Sequence, residues 1–354
     1  MHGKAKEQAE IDGEKELIET STVQAMGKNK YGNITTEELQ NELQGEATVE
    51  KIRKKIVVTI NDSQRSYYVD DDGNVFEYEY FDLAIMENGS DFYNRMSDYR
   101  ESILTVSVLD NMNVPENAYR VFDVSKEQNE TVKAWLVENA ENTDMYDLYI
   151  GSNEGVAIEN CSCMFSELSN CIEIKLDNLY TENVKDFSKM FWCDANLIKV
   201  NLDNLDSSNV TTMNRMFQYC DSLKTLDLSN FTTSNLTDMT NMFFKCTNLE
   251  SVDLSTFDTS NVTNMGQLFN SCQSIKKLDL EHFDVSKLSG WGVGGYYMFA
   301  NCNSLEELHI SSWDVSNLTN MTRNVSGLQQ FENFRFKWME YWKSYSYYTD
   351  VFKM

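Results

Sequence analysis

A period of 26 residues governs the second half of this 354-residue chain. Met-Phe pairs stand at Met164-Phe165, Met190-Phe191, Met216-Phe217 and Met242-Phe243, Leu268-Phe269 follows at the same interval, and Met298-Phe299 comes after 30 residues. The four extra residues fall in the Gly-rich stretch 290–295, which reads as a loop. Twelve residues after each pair begins stands an aliphatic side chain: Leu176, Leu202, Leu228, Leu254, Leu280 and Ile310. Ile174, Val200, Leu226, Val252, Leu278 and Leu308 lie two residues earlier, so each unit holds a short alternating segment that predicts a strand. Beyond it come Phe231, Phe257, Phe283 and Trp313, a polar turn, then Val210, Leu236, Val262 and Leu318, with Met213, Met239, Met265 and Met321 three residues on. One unit therefore predicts a strand, a turn and a short helical or 3-10 stretch.

A segment of that size cannot bury its own apolar side. Stacked units can, because equivalent Leu, Phe, Met and Cys positions then meet as continuous ladders, which is the physical logic of a solenoid. Six units over 164–323 predict short parallel strands, one per unit, ~4.8 Å apart on one face, with the Met-Phe segments packing on the other.

The phrase Leu254-Ser-Thr-Phe-Asp-Thr-Ser-Asn-Val-Thr-Asn-Met265 and its counterparts through 164–323 resemble the 26-residue leucine-rich repeats of BspA-like bacterial surface proteins (DUF285 type). The apolar stretches 103–110, 132–135 and 146–150 are similar to the strand-rich lead-in of that family, and 81–163 reads as an N-terminal cap. The resemblance implies a leucine-rich-repeat solenoid and a cell-surface or extracellular adhesin. Such a protein is a scaffold whose repeat surface binds host matrix, host cell or other bacterial surface proteins, with no cofactor.

The first 80 residues read as a separate α+β module. Residues 5–26 place Ala, Leu, Ile and Val at helical spacing, and Thr35-Thr-Glu-Glu38 is a capping box that opens a second short helix. The stretches 55–60, 66–69 and 75–80 alternate like strands, with 70–74 as the hairpin turn between the last two. This module resembles the soluble part of type IV prepilin-like surface proteins. That implies an apolar anchor helix before Lys4 and, as an alternative role, a spacer within a pilus-like appendage. Residues 324–354 are strongly aromatic and leave the repeat pattern; they read as a cap over the last unit or as a partner-binding segment. The expected fold class is thus mainly β with short helices, a leucine-rich-repeat solenoid preceded by a small α+β module.

Composition narrows the partners. Hydrophobic residues make up 41% of the chain, enough for a packed core. A formal net charge of −26 opposes phosphate-backbone binding, which draws its affinity from Lys and Arg, so nucleic acid is not an expected partner. No stretch approaches the ~18 apolar residues of a membrane span, and the first residues lack the apolar core of a signal peptide. Any membrane link therefore rests on the anchor helix implied above.

Catalysis needs a base with a nucleophile, or paired carboxylates. The three histidines, His2, His282 and His309, have no triad setting, so the chain reads as a non-enzyme, with a carbohydrate-processing enzyme as the remote alternative. Cys193, Cys220, Cys246, Cys272 and Cys302 come about once per unit. Metal sites require clustered spacing, whereas this spacing predicts a ladder of small buried side chains and no metal. Cys161, Cys163 and Cys171 fall at the irregular first unit and could approach one another. The triplets at Asn209 and Asn261 match glycosylation acceptors formally but recur with the structural period and read as turns. The run Asp70-Asp-Asp-Gly73 lacks the spacing of a calcium loop.

The candidate binding residues form the outward column of the strand: Lys175, Asn201, Asp227, Asp253, Asp279 and His309. Like charges stacked there oppose one another. The column reads either as a stripe for a cationic or protein partner or as turn-forming aspartates of the repeat.

Overall fold

A computed structural model describes residues 83–153, 155–288 and 295–313, together with four strands between residues 47 and 77. The helices expected at 5–26 and from Thr35, the 70–74 turn, the insertion at 290–294, Leu318, Met321 and the aromatic tail lie outside the described residues. The chain divides into two compact units, Met1–Leu83 and Ala84–Met354.

In the first unit, β1 (Ala47–Ile52), β2 (Lys55–Ile60), β3 (Ser63–Val69) and β4 (Val75–Glu77) form an antiparallel sheet in sequence order. The last three fall where alternation predicts them. Strand β1 was not anticipated, because its adjacent Glu50 and Lys51 break the alternating pattern; it pairs with β2 from Ala47↔Ile60 to Ile52↔Lys55.

The second unit begins with β5 (Ala84–Ile85) and α1 (Gly89–Arg95), the one α-helix among the described residues. Asn88 caps α1 by accepting the Asp91 N–H at 3.1 Å. Strands β6 (Ile103–Leu109), β7 (Arg120–Asp123), β8 (Lys133–Glu138) and β9 (Tyr146–Gly151) follow, then β10 (Val156–Ala157). The periodic region supplies β11 (Glu173–Lys175), β12 (Leu179–Tyr180), β13 (Lys199–Asn201), β14 (Thr225–Asp227), β15 (Ser251–Asp253), β16 (Lys277–Asp279) and β17 (Glu307–His309). The protein is mainly β, in mixed sheets. One six-stranded sheet has the order β13-β11-β6-β9-β8-β7; β11 pairs in parallel with β6, so the lead-in and the first periodic strands share one sheet.

The periodic strands do not form the continuous parallel sheet that the spacing predicts. After β13 the pairing stops; β14 pairs with β15 and β16 with β17 as separate parallel pairs. Backbone bonding is continuous instead through the Met-Phe segments. The N–H groups of Phe187, Lys189, Phe191 and Cys193 donate to carbonyls of the next unit at 2.9–3.0 Å, and Met213, Arg215, Phe217 and Tyr219 repeat the pattern at 2.9 Å. A three-residue strand has few bonds to offer each neighbour, so a slight opening on that side loses a junction. The Met-Phe side holds because it has four such bonds and a stacked ring.

Those segments are turns rather than the helical or 3-10 stretches expected. Each has two residues in the left-handed region: Lys189 and Cys193 (φ 56° and 65°), Arg215 and Tyr219 (60° and 66°), Asn241 and Lys245 (59° and 60°). A left-handed residue interrupts a right-handed helical run and costs about 1–2 kcal/mol for a side chain with a Cβ. The alternation turns every second N–H toward the next unit, and the ladder bonds offset the strain.

Inside, equivalent side chains meet as expected. Phe165, Phe191, Phe217, Phe243, Phe269 and Phe299 form one stack with ring centroids 5.2–6.1 Å apart. A second polar column runs through Thr181, Ser207, Thr233 and Thr259, all buried. The Thr259 hydroxyl donates to the Asp284 carbonyl at 3.1 Å and accepts the Asp284 N–H at 2.7 Å. Thr259→Val, which keeps the shape and removes both bonds, is expected to lower stability by about 1–2 kcal/mol in urea denaturation.

Candidate functional site

The outward strand column exists, in three pieces. Lys175 lies opposite Asn201, Asp227 opposite Asp253, and Asp279 opposite His309. The sheet breaks between Asn201 and Asp227 and between Asp253 and Asp279.

The aspartates also close turns. Oδ1 of Asp227 and of Asp253 each accepts the N–H two residues on at 2.9 Å, from Ser229 and Ser255, and Asp279 accepts that of Glu281 at 3.4 Å. Asn201 does the same for Asp203 at 2.9 Å. Bonds from Ser255, from its side chain and then its backbone, hold the Asp253 carboxyl below the usual carboxylate range. Around them Lys199 and Lys175 both pair with Glu173 (2.8 and 3.1 Å), Lys277 pairs with Glu307 (3.0 Å), and the His309 ring stands 3.5 Å from Asp279. These exposed pairs contribute little to stability, about 0–1 kcal/mol each. Changing Asp227, Asp253 and Asp279 to Ser keeps a hydroxyl acceptor at each turn. The triple variant is expected to fold and to lose about 0.5 kcal/mol per turn, read as a lowered denaturation midpoint.

The amides of Asn209, Asn235 and Asn261 donate to carbonyls of the preceding unit, Glu182, Ser208 and Ser234, at 2.7–2.8 Å. Their side chains are joints between units.

The cysteine ladder holds four of the five expected members. Cys220, Cys246, Cys272 and Cys302 are buried, and each thiol donates to the Phe carbonyl of the preceding unit at 3.0 Å, 29 residues back for the first three and 33 for Cys302. Burial pushes their thiols up, that of Cys302 to about 12, so they stay protonated. Cys193 sits one position out of register. It is half-buried at a left-handed residue, and Asp194 fills the column in its place, fully buried. Its Oδ1 accepts the Leu168 N–H at 2.8 Å, while Oδ2 has no hydrogen-bond partner. Burial pushes the Asp194 carboxyl well above the usual carboxylate range, and Glu167 adds to the effect against the opposing Leu168 bond. Counting from the Met anchor instead of from the cysteines would have found this slip.

Sequence reading also passed over the outward residues of the Met-Phe turns. Lys189 lies over the Trp192 ring at 5.6 Å, Tyr219 meets Phe244 edge to face at 5.5 Å, and Lys245 lies 5.1 and 5.6 Å from those two rings. The signal was available: a chain with 56 acidic residues places none at these turn positions between Lys189 and Asn301.

His282 contacts the Leu254 carbonyl at 2.9 Å through Nε2, equivalent to the joint two units earlier where Asn230 donates to the Leu202 carbonyl at 3.1 Å. No helix among the described residues is long and apolar enough to cross a membrane.

Fold and side-chain columns together define a mainly β protein of stacked 26-residue units. A family model described as Mycoplasma protein of unknown function, DUF285, matches residues 159–252 and 224–338, which together span just over half of the chain. The chain belongs to that family. No curated protein and no solved structure matches it.

Proposed function

We propose that this chain is a cell-surface adhesin, a non-enzymatic leucine-rich-repeat solenoid that holds outward side chains in register against protein partners on host matrix or cells. The observation that supports it is the contrast between columns. Phe, Met and Thr or Ser repeat inside because each must fit its neighbours, while the strand's outward positions change from Lys175 to Asn201, Asp227 and His309. Such a division fixes a scaffold and leaves its surface free for recognition. The prepilin-like reading of the first 80 residues belongs to the same proposal, as a route to surface display. A second reading, a structural spacer, is favoured by the continuous inter-unit backbone ladder, which suits a stiff rod.

The test is binding of the full chain to immobilised fibronectin, to fibrinogen and to epithelial cells, beside the Asp227, Asp253 and Asp279 to Ser variant. Saturable binding that the folded variant loses supports adhesion through the strand face. Failure to bind any of the three surfaces favours the spacer.

A further inference from the structure

We propose that the outward face of the Met-Phe turns, made by Lys189, Trp192, Arg215, Tyr219, Phe244 and Lys245, is a binding surface for an anionic polysaccharide. The inference rests on the reading of the units as a binding scaffold and assigns a face and a ligand class that the strand column does not supply.

Charge is the first argument. Among the described residues none of Lys189, Arg215 and Lys245 joins an ion pair, a state they share with Lys185, Lys224, Lys276 and Lys287; what sets Lys189 and Lys245 apart is that they stand beside aromatic rings. In a chain of net charge −26, cations gathered at these turn positions, with the neighbouring Asp186 and Asp238 engaged by the Ser188 and Thr240 N–H groups, are complementary to an anion. The carboxylate heading the same column, Glu167, is occupied by the Tyr93 hydroxyl at 2.7 Å and by Arg100 at 3.6 Å. At the border, Asp221 accepts the Thr247 hydroxyl at 3.0 Å.

Backbone conformation is the second and independent argument. Lys189, Arg215, Tyr219 and Lys245 all have φ between 56° and 66°, where Gly carries no steric penalty. The turn alone is best served by Gly. The equivalent positions elsewhere carry Cys193, Asn241, Gln267 and Ser271, so it is the size and charge of these four side chains that bear on what the turns present outward.

Rigidity and ring chemistry choose the ligand. The three units are locked by the Lys189 to Asn214, Arg215 to Thr240 and Tyr219 to Phe244 backbone bonds, each 2.9 Å, so the face is set before a ligand arrives. Half-buried Trp192, Tyr219 and Phe244 offer ring surface for the C–H faces of sugars, and the cations pair with carboxylate or sulfate groups. A linear polymer with a repeating charge matches a face that itself repeats unit by unit. A neutral glycan would leave the cations unused, and an acidic peptide would leave the rings without a planar partner.

The test uses the full chain with three probes: dextran sulfate, uncharged dextran and polyglutamate. The key variant is Lys189→Gly, Arg215→Gly, Lys245→Gly, which removes the cations and relieves the left-handed strain, so it should fold at least as well as the parent by thermal melting. Expected are saturable binding to dextran sulfate that weakens as salt is raised, loss of about tenfold or more in the triple Gly variant, and little binding to dextran or polyglutamate. The Asp227, Asp253 and Asp279 to Ser variant should bind dextran sulfate as the parent does. The proposal is overturned if the parent does not bind dextran sulfate, if the triple Gly variant binds it equally, or if polyglutamate binds as tightly. Binding to fibronectin, fibrinogen or cells that persists in the triple Gly variant would leave the scaffold reading standing without this face.

Discussion

Phe217→Ala should destabilise the protein by about 3–5 kcal/mol. The ring is fully buried, 5.2 Å from Phe191 and 6.0 Å from Phe243, with interplanar angles of 11° and 6°. Truncation forfeits its transfer free energy, two stacking contacts worth about 0.5–1.5 kcal/mol each, and leaves a cavity. The backbone bonds of Phe217 to Met242 and of the Cys246 thiol to Phe217 hold the walls in place, so little collapse can refill the space. Coupling between units runs through neighbours, so the urea transition should move to lower concentration and broaden as the two sides of the array separate. Phe244→Ala, at the half-buried turn position next to the Phe243 ring of the stack, is the control. A loss for Phe217→Ala no larger than the control's would refute the ring stack as a principal source of stability.

Asp194→Cys should raise stability by about 2–4 kcal/mol at neutral pH. A thiol there matches Cys220, Cys246, Cys272 and Cys302. Its sulfur replaces Oδ1 as acceptor of the Leu168 N–H, and its S–H faces the Phe165 carbonyl as Cys220 faces that of Phe191. The pH dependence carries the sign. Burial raises the folded carboxyl above its unfolded value, so between the two the folded state holds a proton that the unfolded state has released. Stability is fullest below the unfolded value and falls as pH rises, by about 1.4 kcal/mol per unit until the folded value is reached. The carboxylates held low by turn N–H groups, Asp253, Asp258 and Asp284, have the opposite sign and lose their contribution only as pH falls through their own range. As pH rises above the ordinary carboxylate range, urea denaturation should therefore show a downward slope in the parent that the Asp194→Cys variant lacks. Parallel curves for the two proteins would show that Asp194 is not a buried neutral acid.

The alternating strand of each repeated unit was readable to within a residue. Leu226-Asp-Leu228 predicts a strand and Thr225–Asp227 forms one, because alternation registers which side chains must face inward. The ring stack was equally legible, since equal spacing brings equal positions together. The turn conformation was not: Lys189, Arg215 and Tyr219 carry no Gly or Asn to mark a left-handed backbone, and that backbone decides where the N–H groups point.

The sequence alone determined the period, the inward columns and the need for stacking, because a repeated apolar side that one unit cannot bury leaves few other solutions. Tertiary structure decided which side carries the continuous backbone ladder. Four bonds and a stacked ring per junction outweigh a three-residue strand, and no local pattern reports that balance. It also decided that Asp194, an ordinary acid in the sequence, lies fully buried in a column of thiols. One residue of register separates it from Cys193, and only the packed units fix that register.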